Sequence, residues 1–479
     1  MSKLLLSVIL SLSALKFMAQ PLYPAAVKSD NSKTINPSMK GVWKSIGNSY
    51  LLDARYDSVI IYSTTSQHCY TEKNEYLSGL LNNFAQFDLN AKKDTLSLYF
   101  QDFGERTRLL QSENKYYRLP FLPGNCAPLT EAQKADPEFL FNLFWLTLRE
   151  NYANAIERNL DWNEIYLKYR PQVSKLSTKY DLFDIMGQIV TLTKDQHTKI
   201  IAENGDTKQY RGEPSSRLLK ESFENQDTIK TFNEYIDRFF HTNYQNISDH
   251  ILQRKGKKVA NGKIEWGDVT PSIGYISIYS LTRFTKDDIP RGQQLDSLNF
   301  HMGEIMKAFR NKKAIIVDVG FNFGGYDAAG LTIAGYFTTT QLQAYTVYKF
   351  QGGKLYKGTI FSVAPASHYN FTKPVYLLTT DISRSAAESF ALQMKTLPNV
   401  TAVGTNTLGT LSSMLNKSIG EFMLTISNEQ YVTPDGKMYE VSGVEPDIRL
   451  DVFTKQNMFN GHEDAVKKIV NLIDEQVKE

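Results

Sequence analysis

Two runs of aliphatic and β-branched residues, AIIVDV (314–319) and PVYLLTT (374–380), each end in a short turn that leads straight into a helix-prone stretch. The first is followed by GFNFGGYDAAG and the second by DISRSAAESFALQMK. Short apolar runs bounded by turn residues read as buried strands, so the alternation of strand and helix after Gly262 predicts an α/β core. SIGYISIYSL (272–281) adds a strand ahead of these, with a helical stretch around Leu295 to Phe309 between it and AIIVDV.

Ser385 sits where the second strand turns into its helix, three residues before Glu388. That spacing is the capping-box pattern, in which serine and acid each satisfy one orphan backbone donor. The same place exposes a hydroxyl at a helix N-terminus, where the dipole and free N–H groups stabilise an anion. Cap and nucleophile are both open readings of the local sequence, and Ser383 is the neighbouring alternative.

With 479 residues, the chain calls for two or three domains. Residues 1–19, MSKLLLSVILSLSALKFMA, place Lys3 ahead of an apolar run and end in a small residue, the layout of a secretory signal. The run is shorter than the ~20 residues of a membrane span, and no Cys stands at the cleavage point to take a lipid. Export to the periplasm or the extracellular space is the expectation, with no membrane span. Residues 20–130 are predicted to form a small β-rich module, from short alternating pieces such as SVIIYS (58–63) and TLSLYF (95–100). Residues 131–204 follow as a helical subdomain, starting where Asp136 caps and Pro137 opens a helix. The remainder, 205–479, is the α/β core, with a polar insertion at about 205–268.

Net charge is +3, with acidic and basic residues nearly balanced, which gives no footing for a nucleic-acid partner. Only two cysteines occur, Cys69 and Cys126; in an exported chain they either pair or remain as two buried thiols. No HExxH, Walker loop or GxGxxG is present, so no metal and no cofactor is expected.

Three further pieces bear on Ser385. In DVGFNFGGYDAAG (318–330), paired glycines let the backbone approach a ligand, and their N–H groups can serve as an oxyanion hole. His197 stands in DQHT, and Glu440 in YEVSGVEPDI (439–448), after the hairpin signal TPDG. Singly, each has a bland reading: an ordinary turn, a structural histidine, a surface acid on an edge strand.

In this order the four pieces resemble the tricorn and C-terminal processing protease family of serine peptidases. LTKDQHTKI is similar to that family's L-x-D-G-H-T segment, IIVDVGFNFGG to its D-L-R-x-N-x-G-G loop, SRSAAESFA to its nucleophile segment, and GVEPDI to its closing G-V-x-P-D. ENYANAIERNLDW also resembles the tricorn and retinoid-binding-protein-like branch. The resemblance, over about 136–452, implies a ClpP/crotonase-like spiral of β-β-α units, with the site between that core and the helical subdomain. It implies Ser385 as nucleophile, His197 as base, Gly324 and Ala386 N–H groups as oxyanion hole, and Glu440 as the acidic member. A peptide or protein is the implied substrate, cleaved through an acyl-enzyme; a silent member that binds peptides or apolar ligands in the same cleft is the alternative.

The chain departs from the family at defined places. Thr410 stands where the processing branch has its activating Lys, Gln196 where tricorn has a bridging Ser, and Gly320 and Phe323 where the glycine loop has Arg and a small residue. The link from Glu440 to His197 is therefore expected to run through another group, such as Thr198 or Ser442, through a water, or through nothing. No PDZ-like segment is evident between His197 and Ser272.

Overall fold

In a computed structural model, the described residues are 39–56, 59–72, 85–100, 113–212, 214–287 and 289–476. Residues 1–19, read from the sequence as a secretory signal, lie outside them. At the centre is a seven-stranded sheet whose spatial order follows the chain: Lys257–Val259, Ile264–Thr270, Ile273–Ile278, Ala314–Asp318, Val375–Thr379, Val400–Gly404 and Ile448–Arg449. The first three are antiparallel neighbours, and every pairing from Ile273–Ile278 onward is parallel.

The strands Ile273–Ile278, Ala314–Asp318 and Val375–Thr379 are buried along their whole lengths, which is why the sequence shows continuous apolar runs rather than polar–apolar alternation. Their side chains still alternate between two cores. Ile276, Ile278, Ile315, Val317, Val375 and Leu377 face helices Arg291–Phe309, Asp327–Ala334 and Ala386–Lys395. Tyr275, Ile316, Tyr376 and Leu378 face helices Phe232–Asn246 and Gly461–Gln476. The segment read as a polar insertion thus supplies cover for one face of the sheet: its helices are polar outside but bury Leu219, Tyr235 and Phe239.

The α/β class and its layout are those expected, with a β module and a helical region ahead of the core. Helix Pro137–Asn151 begins as read, with the Asp136 carboxylate accepting from Glu138 N at 2.9 Å and Phe139 N at 3.2 Å. The helical region packs Phe141, Phe144, Met186 and Ile189 onto Phe422, Leu424 and Ile426 of the hairpin Met414–Ile419/Phe422–Ser427. Strand Lys199–Ile201 pairs with that hairpin, Lys199 opposite Thr425 and Ile201 opposite Met423. This pairing carries the His197 turn to the core.

Among the described residues, the N-terminal β module is one sheet of eight strands between Val42 and Ala127. A disulfide joins Cys69 to Cys126, two residues that also face each other in neighbouring strands. The module docks on the same hairpin: Lys417 Nζ donates to Ser49 O at 2.7 Å, and the Tyr50 hydroxyl donates to Asn416 O. Among the described residues no helix is long and apolar enough to cross a membrane.

Candidate active site

Three neighbouring parallel strands, Ala314–Asp318, Val375–Thr379 and Val400–Gly404, release their loops at the same carboxyl edge. Loops at that edge of an open α/β sheet are where ligands bind. The first loop carries Gly324, the second Ser385 and the third Thr410.

Ser385 has φ 58° and ψ −128°, a backbone conformation that costs a non-glycine residue on the order of 1–3 kcal/mol and persists only when its surroundings impose it. Those surroundings are visible. Ser385 N–H donates to Thr410 O at 3.1 Å and to Glu388 Oε2 at 3.1 Å. The Glu388 carboxylate also accepts from Thr407 Oγ1 (2.6 Å), Gly409 N (2.6 Å) and Thr410 N (2.8 Å), so one buried acid ties the third loop to the second. Burial pushes Glu388 up to about 7, against the pull of these four donors.

Ser385 and Glu388 stand in the capping-box arrangement, but Glu388 N–H bonds the Ser385 carbonyl at 2.8 Å and makes no hydrogen bond to the side chain. Ser385 is partly exposed, and among the described residues nothing hydrogen-bonds its hydroxyl. Ser383 differs. It is fully buried, and its hydroxyl donates to Val319 O at 2.8 Å while accepting from Thr380 N at 3.1 Å.

Gly324, at φ 98°, lies against this turn: a Cβ there would stand 2.7 Å from Ser385 Cβ and 2.9 Å from Ala386 N. No other residue fits that approach. Its own N–H donates to Asn322 Oδ1 at 2.7 Å, whereas Ala386 N–H has no partner among the described residues. Gly320 N–H donates to Asp318 Oδ1 at 2.8 Å, and the other oxygen of that buried acid meets His462 Nε2 at 2.8 Å. A histidine from the C-terminal helix therefore pairs with Asp318 behind the glycine loop, and a Cβ at Gly320 would stand 3.5 Å from its ring.

His197 comes from the other side. Asp195 folds its turn, accepting from His197 N at 2.8 Å and Thr198 Oγ1 at 2.9 Å. The ring Nδ1 lies 2.7 Å from Ser412 O. A carbonyl only accepts, so Nδ1 carries the proton in the neutral ring and Nε2 keeps its lone pair. Burial pushes the imidazole pKa down; Asp195 and the Ser412 carbonyl push it back up, and Lys199 and Arg384 add to the depression.

Glu440 is not a surface residue of an edge strand but lies buried in the turn after the hairpin. Its Oε1 takes Arg158 Nη2 at 2.8 Å, and its Oε2 takes Leu411 N at 2.9 Å and Ser412 N at 3.3 Å. The link to His197 thus runs through the backbone of Ser412, which donates to the acid and accepts from the imidazole. Thr198 and Ser442 are turned elsewhere, to Asp195 Oδ2 and Gly443 O. Burial and the neighbouring Asp195 push Glu440 up to about 7, with Arg158 opposing.

Arg158 is the residue most clearly missed by sequence reasoning. It also donates to Lys194 O at 2.7 Å and Gly409 O at 3.1 Å, so one cation fastens the His197 turn to the third loop and to Glu440. A lone arginine in ENYANAIERNLDW offers no spacing signal for this. Beside these groups opens a cavity of about 290 Å³, lined by Arg158, Lys194, Gln196, Tyr210, Leu408 and Val441 among others.

Known proteins match parts of this chain in sequence and in fold. Residues 272–450 match the peptidase family S41, and residues 133–191 match the tricorn protease C1 domain. A candidate peptidase from Parabacteroides merdae ATCC 43184 is 23% identical with a TM-score of 0.56, over 71% of this chain and 96% of that one. Mature CPAF complexed with lactacystin is 13% identical with a TM-score of 0.49, over 72% and 99% of the two chains. The tricorn protease is 15% identical with a TM-score of 0.43, over 90% of this chain and 44% of its own.

Proposed function

We propose, from the match of residues 272–450 to the peptidase family S41 and of residues 133–191 to the tricorn protease C1 domain, that this chain is an exported serine peptidase that cleaves peptide bonds through an acyl-enzyme on Ser385. The observation that carries this reading is the pairing of complementary states. Ser385 Oγ is unengaged on a strained turn, and His197 has its Nδ1 proton held by Ser412 O, which leaves Nε2 as an acceptor.

A serine hydroxyl is a weak nucleophile until a base takes its proton. In the proposed cycle His197 Nε2 takes the Ser385 proton as Oγ attacks the substrate carbonyl carbon. The carbonyl oxygen becomes an oxyanion beside Ala386 N–H and the Gly324 backbone. The imidazolium then passes its proton to the leaving amine, and water repeats the sequence in reverse on the ester. Glu440, acting through Ser412, orients the ring and stabilises its charged form. The cavity lined by Tyr210, Leu408 and Val441 accepts a substrate side chain. Export to an oxidising compartment, periplasmic or extracellular, agrees with the Cys69–Cys126 disulfide.

Hydrolysis of an unfolded protein by the wild type and not by Ser385→Ala is the expected result, read from fragment masses. Equal turnover by both would overturn the assignment. One observation favours a second reading, a member that binds peptides without turnover: the Gly324 N–H is already committed to Asn322 Oδ1. Calorimetric binding of intact peptides by the wild type, with no fragments formed, would select it.

A further inference from the structure

The residues immediately before Gly324, Ser385 and His197 gather in one cluster. The Arg384 guanidinium lies over the Phe323 ring, 4.4 Å from its centroid, and Arg384 Nη1 donates to Gln196 Oε1 at 2.6 Å. The cluster thus spans the glycine loop, the nucleophile turn and the base turn. Arg384 is only 8% exposed. Away from water, a short bond from a charged donor is stronger than its surface counterpart, and a planar guanidinium stacks on an aromatic face as an ammonium does not. Phe323 and Gln196 are two of the positions where this chain departs from its family, and both departures meet at Arg384.

We propose that Arg384 is a positioning residue of this site: through Gln196 it fixes the base turn against the nucleophile turn, with its positive charge facing the imidazole. This rests on the serine-peptidase reading. The groups that face His197 come from each element around it: Asp195 from its own turn, Lys199 from the following strand, the Ser412 carbonyl from the third loop and Arg384 from the nucleophile turn. Arg158 and Glu440 stand one step further back, Arg158 through its charge on Asp195 and Glu440 through Ser412. Of the two cations facing the ring, Lys199 and Arg384, Arg384 also binds the base turn through Gln196, the neighbour of His197. A cation beside the ring disfavours imidazolium, so Arg384 keeps the base unprotonated to lower pH.

Two readouts test this on the full-length protein: the His197 pKa from NMR of ¹³C-labelled histidine, and the rate of fluorophosphonate labelling at Ser385 against pH. Arg384→Met is expected to raise the His197 pKa, move the acidic limb of labelling up with it, and slow labelling. Gln196→Leu, which keeps the charge, is expected to slow labelling without moving the pKa. Arg384→Lys is expected to restore the pKa but not the full rate. An unchanged His197 pKa in Arg384→Met, or unchanged labelling in Gln196→Leu, overturns the proposal; if Arg384→Met does not fold, Gln196→Leu and Arg384→Lys still decide. A shifted pKa with no labelling of the wild type would instead count against the peptidase reading and leave the positioning geometry standing.

Discussion

The Ser385 turn and the His197 turn are held by different means. The first is part of the core: its strand is buried between parallel neighbours, and Ser383, Glu388 and Gly324 bind it from within the same layer of loops. The second reaches the core through one short strand pairing of three residue pairs and a few crossing bonds, His197 to Ser412, Arg158 to Glu440 and Gly409, and Gln196 to Arg384. A strained nucleophile needs a rigid frame, whereas a base needs only its orientation fixed. The difference puts the chemistry on one side and the vulnerability to misassembly on the other.

Substitutions on the two sides should therefore fail differently. Ser385→Ala should remove about four to six orders of magnitude of peptide hydrolysis without lowering the melting temperature; a kinetic and thermal comparison checks both halves. Arg158→Met should instead lower stability, leaving Glu440 buried without its charged partner and costing about 3–5 kcal/mol in denaturant titration, because the pair is shielded on both sides at 6% and 5% exposure; hydrolysis should fall as well, since Arg158 also holds the His197 turn. Gly324→Ala adds a Cβ 2.7 Å from Ser385 Cβ at a φ suited to glycine. It should lower kcat by about 10²–10³, as for a displaced oxyanion site, and lower stability as well.

The smallest expected effect is a pH dependence. Glu388 has its pKa raised from 4.5 to about 7 in the fold, so the stability it contributes is full below about 4.5 and is lost as pH rises toward 7. The stability of the wild type relative to Glu388→Gln should fall through that window, by at most ~1.4 kcal/mol per pH unit. Chemical denaturation at four or five pH values would read the slope, and a flat difference would show that Glu388 is ionised throughout.

Ser385, Gly324 and the three central strands were legible because each is encoded locally: a strand, a turn and a helix in fewer than twenty-odd consecutive residues. The Asp136 cap was legible for the same reason. Glu440 was found by its motif but misjudged in its setting, since nothing in YEVSGVEPDI tells that Arg158, from a distant segment, will bury it. Ser412 was invisible in its role because its backbone, not its side chain, joins acid and base. The helices between Pro214 and Asn246 looked like a polar insertion because their apolar faces are narrow and mostly aromatic. Arg384 was in view, next to the nucleophile, but its partners Phe323 and Gln196 are separated from it in the chain and carry no joint pattern.

The claim on which all this depends is that a base from the helical side activates a hydroxyl in the core. Fluorophosphonate labelling of the intact protein, mapped by peptide mass spectrometry, addresses it directly. The account predicts a single modified residue, Ser385, with the rate rising as His197 deprotonates and collapsing in His197→Ala. No adduct at Ser385 under conditions that label an active control, or an adduct formed as fast without the imidazole, would contradict it.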